Sequence, residues 1–313
     1  MISEKTLFAQ HVEKGLSDDK KFLSSMYFYD KKGEALFRQI MKLDEYYLTD
    51  CEMEILQSQG KNIAEIFDDS ELEIIELGAG DGIKTKELLR NFDFNQITYR
   101  PIDISQQAII DITDKMNEWL PALKVKGICG DYFKMIKDFK TDKRKLILFL
   151  GSNLGNMTDE QAKGFIGQLH HVMNSGDSIL LGLDLIKSEK IVLPAYSDNK
   201  GITAEFNLNL LHRINKELGG NFNIKDFSHL ATYNEKEGIA KSYIKSSMNQ
   251  SVYIEEVDKE FHFKKDELIH TEVSRKYDLD IIRNIIEGTS FQLKHQFTDH
   301  KHYFTDLILT KSN

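Results

Sequence analysis

Residues 74–88 read IIELGAGDGIKTKEL, and no other segment constrains this chain as strongly. A short apolar run ends in Glu76, glycines stand at 78, 80 and 82, and a helix-like stretch comes next. A strand that delivers a nucleotide-like ligand onto a helix N-terminus has this form. Glycines let the backbone turn tightly and approach the ligand, and the N–H groups of the first helical turn point toward it. The details narrow the ligand. A dinucleotide fingerprint starting at Gly78 requires glycine at 83, where Ile83 stands. A phosphate-cradling P-loop requires glycine immediately before the Lys84–Thr85 pair, and Ile83 occupies that place as well.

The segments beyond the turn agree with a doubly wound α/β sheet. Residues 97–104 (ITYRPIDI) read as a second strand carrying Asp103 near its end, where such a sheet presents a carboxylate to a ribose hydroxyl pair. CGDY puts Asp131 at a third strand end, where adenine would lie. Residues 145–150 (KLILFL) form a fourth strand running into GSNLGN, and 178–185 a fifth. Asp103 and Asp131 also suit a plainer role as helix N-caps or solvated loop acids. Acid-x-Gly-x-Gly-x-Gly resembles the first motif of class I S-adenosylmethionine-dependent methyltransferases, whose cofactor has no pyrophosphate to cradle.

Composition excludes several alternatives. With 313 residues, 41% hydrophobic and 29% charged, the chain can form one large or two ordinary domains. A net charge of −9 with no dense Lys/Arg cluster argues against a nucleic-acid partner and for a small-molecule substrate. No apolar stretch reaches membrane-span length and no signal-peptide pattern opens the chain, so a cytoplasmic location is expected. Cys51 and Cys129 lack metal-ligand spacing and read as buried structural thiols, and His170–His171 is a doublet with no third ligand nearby. No metal is expected.

The first fifty or so residues read as helices, and a long insert, roughly 187–275, comes after the fifth strand. The insert is too long for an ordinary crossover. Within it 203–218 (TAEFNLNLLHRINKEL) is patterned as an amphipathic helix, while IAKSYIKSSMNQSVYI and KEFHFKKDELIHTEV alternate as antiparallel strands do. Two domains are therefore expected: a cofactor domain of 51–186 plus 276–313, and a second α+β domain of 1–50 plus 187–275.

YFYDKKGEALFRQIMKLDEYYLTDCEMEIL, ELGAGDGIKTKELL, FLGSNLGNMT, LLGLDLIKSEKIVLPAYSDNKGITAEFNLNLLHRINKELGGNF and HTEVSRKY together resemble successive blocks of the histidine-specific N-alpha-methyltransferase family of ergothioneine biosynthesis. The blocks run in order over nearly the whole chain and include the insert. The resemblance implies trimethylation of the α-amine of L-histidine to hercynine by S-adenosylmethionine, in a monomer. It assigns cofactor contacts to Gly78, Gly80, Lys84, Asp103, Asp131 and Tyr132. It assigns Tyr46, Asn156 and Tyr196 to the amino acid's carboxylate and amine, with Gly151 at the same strand end as Asn156. Glu272 and Ser274 fall to the imidazole, and Tyr29 lies near the methyl-accepting nitrogen. Tyr29, Asn156 and Glu272 form the implied catalytic set.

Each of these has a plainer reading. Tyrosines in helical arms commonly pack with a satisfied hydroxyl, Asn156 suits a turn or cap, and Glu272 in an alternating strand suits a solvated face. Asn153 and Ser242 depart from the family pattern and bear on pocket shape. Two other functions fit the residues: methylation of another small aromatic amino acid or amine, and a non-catalytic S-adenosylmethionine sensor. A sensor has no need for both halves of a reaction site.

Overall fold

The computed structural model describes residues 4–67, 71–139 and 141–312. The chain divides into two compact units, 1–47 with 187–274 and 48–186 with 275–313. It begins in the first with α1 (Glu4–Ser17) and α2 (Lys31–Ile40), and α3 (Tyr47–Glu65) opens the second. Next come β1 (Leu72–Leu77), α4 (Ile83–Leu89), β2 (Ile97–Asp103), α5 (Gln106–Trp119) and the two-residue strands β3 (Lys124–Val125) and β4 (Ile128–Cys129). α6 (Tyr132–Asp138), β5 (Arg144–Phe149), α7 (Asp159–Val172) and β6 (Ser178–Asp184) complete the alternation. The first unit resumes with α8 (Glu189–Tyr196), α9 (Ile202–Leu218), β7 (Phe227–Asn234), β8 (Ile239–Ser246), β9 (Gln250–Ile254), β10 (Lys259–Phe263) and β11 (Leu268–Arg275). The chain closes in the second with α10 (Leu279–Ile286), β12 (Phe291–Thr298) and β13 (Phe304–Lys311).

The second unit is built on an eight-stranded sheet in the order β12-β13-β6-β5-β1-β2-β3, with β4 also beside β2. β1 pairs in parallel with β2 on one side and β5 on the other, and β5 with β6, while β13 and β12 are antiparallel additions. The strand order therefore reverses at β1. In an open parallel sheet the crevice at such a switch point, beyond the strands' carboxyl ends, is where ligands bind. β1 and β6 are buried along their full length, as strands covered on both faces must be. One face packs Ile75, Ile147 and Phe165, the other Ile74, Leu146 and Met116.

Charges are also buried within this unit. Lys276 and Asp184, both without exposed side-chain surface, form an ion pair of 2.7 Å, and Lys145 pairs with Asp177 at 2.9 Å. Tyr277 donates its backbone N–H to the Asp184 carbonyl at 2.8 Å. The returning chain is thus sewn to the end of β6 by backbone and side chain together.

The first unit has its own core, in which α9 contributes Phe206, Leu210 and Ile214 and the strands Ile244, Val252 and Ile269. Glycines in the left-handed region bound α9, at Gly201 (φ +75°) and Gly219 (φ +66°). β11, β8 and β7 form a three-stranded sheet, and β9 and β10 a separate antiparallel pair. The expected strand IAKSYIKSSMNQSVYI is thus two strands in two sheets, because residues 247–249 break the alternation.

Candidate active site

The turn after β1 passes through Gly78, Gly80 and Gly82 with φ of +74°, +56° and +74°. A Cβ added at Gly78 or Gly80 meets nothing within 4 Å, whereas one at Gly82 runs into Ile112 and comes within 2.9 Å of Met116. The first two glycines leave open space for a ligand, and the third permits close packing of the turn on α5.

Glu76, at the base of the turn, is buried and accepts hydrogen bonds from Thr85 Oγ1 (2.5 Å) and from the Tyr99 hydroxyl. Burial raises its pKa to about 7, against the pull of Thr85, Tyr99 and Lys84. An acid whose pKa is raised on folding stabilises the fold fully below its unfolded value of 4.5 and loses that contribution as pH rises to about 7. The loss is on the order of 3 kcal/mol at 1.36 kcal/mol per unit. Glu76→Gln is expected to flatten the fall in thermal stability between pH 5 and 8. Scanning calorimetry of both proteins across that range checks it, and an unchanged slope would place the titration elsewhere.

Asp103 and Asp131 lie at the ends of β2 and β4. Asp103 Oδ1 accepts the Ser105 N–H at 2.8 Å, and Asp131 caps α6 through the Lys134 N–H at 3.0 Å. The plainer reading is therefore correct as far as it goes. A carboxylate has two oxygens and several lone pairs, so capping leaves capacity for a ribose or adenine. Tyr132, the first residue of α6, packs edge-on against Phe133 at 4.9 Å, and burial and then Asp131 raise its hydroxyl pKa.

Ile104, 84% exposed directly after Asp103, belongs to no motif that would single it out in sequence. Its one signal is an aliphatic residue just past a strand-ending acid, where a turn ordinarily carries polar groups. Cys129 is exposed, with Sγ 3.4 Å from the Ile104 carbonyl, and not a buried thiol as expected. β4 is only two residues long and lies off the main strand order, so its side chains are not enclosed. Cys51 is buried as expected. In the doublet, His170 Nε2 lies 2.9 Å from Ser290 Oγ and His171 Nδ1 2.6 Å from the Gly167 carbonyl, a structural pair.

Just past β5 the chain passes through Gly151 (φ +76°) and Ser152 (φ +56°), after which a 3-10 turn spans Asn153–Asn156. Ser152 Oγ accepts the Asp184 N–H at 3.0 Å, and a Cβ on Gly155 would come within 2.7 Å of the Arg275 carbonyl. Asn156 ends this tightly held turn and is exposed. The Gly151 N–H and the Lys84 ammonium both donate to Glu52, a fully buried acid on α3. Burial pulls the Lys84 pKa down, but Glu52 more than restores it, so Lys84 stays charged. Glu52 has no local motif to betray it in the sequence.

In the first unit Tyr29, Tyr46, Tyr196, Glu272 and Ser274 come together from several segments. The Tyr196 hydroxyl donates to Ser274 Oγ at 2.7 Å, joining α8 to β11. His229, on β7, has Nε2 2.8 Å from the Tyr196 carbonyl and so carries its proton there. Phe37 links Tyr29 and Tyr46, lying edge-on to them at 5.5 and 6.1 Å. Burial of its hydroxyl, then the charge of Glu272, then Tyr196, raise the Tyr29 pKa, although 44% of the residue is exposed. Even discounted for that exposure, the upward shift leaves the phenol protonated at neutral pH and not a proton acceptor. Ser242 is buried on β8, and Asn153 is exposed.

A mainly parallel sheet reversing at β1, an open glycine turn at that reversal and acids at the next strand ends define a class I, S-adenosylmethionine-dependent methyltransferase. A family model for histidine-specific, S-adenosylmethionine-dependent methyltransferases matches residues 8–311. The chain belongs to that family. It is 34% identical over 268 residues to a histidine N-alpha-methyltransferase of Mycobacterium tuberculosis, covering 85% of this chain and 83% of that one. It is 31% identical over 290 residues to the Mycolicibacterium smegmatis protein of the same name, covering 92% and 90%. Among solved structures, mitomycin 7-O-methyltransferase shares the fold with a TM-score of 0.51 at 10% identity, covering 99% of this chain and 69% of that one.

Proposed function

We propose that this enzyme transfers three methyl groups in succession from S-adenosylmethionine to the α-amino nitrogen of L-histidine, giving hercynine. The grouping of Glu272 with Ser274, Tyr196 and Tyr29 carries this reading. It offers one acceptor and one hydroxyl for the two polar corners of an imidazole, beside phenols suited to a carboxylate or amine. By the family resemblance Tyr46 and, in the other unit, Asn156 and Gly151 are also assigned to the amino acid. Gly78, Gly80, Lys84, Asp103, Asp131 and Tyr132 receive the cofactor, and exposed Ile104 offers adenine an apolar face.

In methyl transfer from sulfonium to amine, positive charge moves and is not created, so alignment supplies most of the acceleration. Effective molarities in well-oriented intramolecular reactions are worth about 7–11 kcal/mol. The bound cofactor supplies the activated methyl; the protein's part is to orient the amine and exclude water. The ammonium must lose a proton before each attack. With Tyr29 held protonated, that proton passes to solvent. While N–H groups remain on the amine they donate to the Tyr29 hydroxyl oxygen and Asn156 Oδ1, which orients the nitrogen and leaves its lone pair free for the methyl.

Among the described residues no helix is long and apolar enough to cross a membrane. The net charge of −9 favours a small-molecule substrate over nucleic acid, and the reading carries with it a monomer working in the cytoplasm. Mass spectrometry of L-histidine incubated with S-adenosylmethionine and the protein tests the reading, with tryptophan, tyrosine and histamine alongside. A product carrying three added methyls is expected, with histamine inert for want of a carboxylate. Methylation of a different amine would replace the substrate, and cofactor binding without turnover on any of them would favour a sensor.

A further inference from the structure

We propose that Glu52 is a positioning residue of the cofactor site, fixing the Lys84 ammonium and the Gly151 backbone at once. Its carboxylate has no exposed surface. Oε1 accepts the Gly151 N–H at 2.8 Å and Oε2 the same N–H at 3.1 Å, while Oε2 also takes the Lys84 ammonium. One buried charge thus joins the first turn of α4, just past the glycines, to the strand end that leads to Asn156. An ionised carboxylate out of water costs several kcal/mol unless its lone pairs are filled. Here they are filled by groups from the two segments that a cofactor at the switch point must meet.

The surroundings are arranged for this carboxylate. Gly182, in the middle of β6, has no side chain where Glu52 lies: a Cβ there would collide with Glu52 Oε1 and come within 3.1 Å of Asp306 Oδ1. Asp306, opposite Gly182 in the β13 register, is fully buried with neither oxygen hydrogen-bonded. Burial and then the Glu52 charge hold its carboxyl well above the usual range, more than Lys84 lowers it. Asp306 is therefore the neutral acid beside the Glu52 carboxylate, which is ion-paired with Lys84. Neither residue belongs to a motif, and Glu52 lies 32 residues from Lys84 and 99 from Gly151.

The inference rests on Lys84 being a cofactor contact, and its test separates the two claims. Binding of S-adenosylhomocysteine is measured by calorimetry for the full chain and for Glu52→Gln, Lys84→Met, the double variant and Gly182→Ala. Glu52→Gln keeps the size and an acceptor for Gly151 but removes the charge from Lys84. At least tenfold weaker binding is expected, with KM for S-adenosylmethionine rising in step and kcat falling less. The double variant should bind no more weakly than Lys84→Met, because the two residues act as one unit. Gly182→Ala, which crowds Glu52 without altering any charge, should reproduce the loss and decides the matter if Glu52→Gln does not fold. Additive losses in the double variant, or folded Glu52→Gln and Gly182→Ala binding within twofold of the parent, would overturn the role of Glu52. Failure of the unaltered protein to bind would instead overturn the functional reading itself.

Discussion

Glu272→Ala is expected to lower kcat/KM for L-histidine by about 100- to 1,000-fold and to leave S-adenosylhomocysteine affinity within about twofold. The imidazole N–H that the carboxylate would accept loses a charge-assisted bond worth about 1.5–3 kcal/mol, and the desolvated donor is left unpaired as well. The fall should show mainly in KM if Glu272 reads the side chain, as proposed, and mainly in kcat if it acts at the reacting nitrogen. Selectivity should relax in parallel, because a ring without an N–H at that corner, as in phenylalanine, no longer meets a half-buried carboxylate that it cannot satisfy. Competition of histidine against tryptophan and phenylalanine at fixed cofactor gives the ratio directly. Histidine turnover that survives unchanged would remove Glu272 from the recognition of the ring.

Lys276→Met is expected to destabilise the protein by about 3–5 kcal/mol, the usual cost of removing one partner from a buried pair. Asp184 would keep its charge at a position with no exposed surface. Urea unfolding at pH 7 with both proteins reads the difference, and Lys276→Met/Asp184→Asn should recover much of it because the buried carboxylate is removed together with its counter-charge. A single variant within about 1 kcal/mol of the parent would mean that the site admits water or reprotonates. Activity should suffer alongside stability, since the Asp184 backbone also donates to Ser152 beside the Asn153–Asn156 turn.

The parts legible in sequence are those with local signatures. The apolar run, alternating glycines and helix need only a fifteen-residue window, and β1, the turn and α4 stand where that window puts them. Asp131 is legible as a cap, and the proposed site role makes the same demand on a strand end. The split of residues 239–254 between two sheets is not legible, since alternation reports a strand and not its partner. The resemblance puts Tyr29 near the reacting nitrogen, whereas the burial and the Glu272 charge that hold its proton more tightly still come from segments up to 200 residues and more away. Glu52 is hidden for the same reason. An acid on an amphipathic helix reads as solvated until the fold supplies an ammonium and a backbone N–H from remote segments.

The bare backbone at Gly182 has a consequence for how this protein can change over generations. A side chain there displaces the Glu52 carboxylate, so it leaves the cofactor site intact only after Glu52 has shortened, whereas Glu52 can shorten while Gly182 stays as it is. Mutational history at this point therefore runs one way: replacements at 182 arise only in lineages that first gave up the acid. In a laboratory library, randomising 182 alone should return almost nothing but glycine, while randomising both positions should return paired solutions. The empty place on β6 sets the order in which a variant can be assembled.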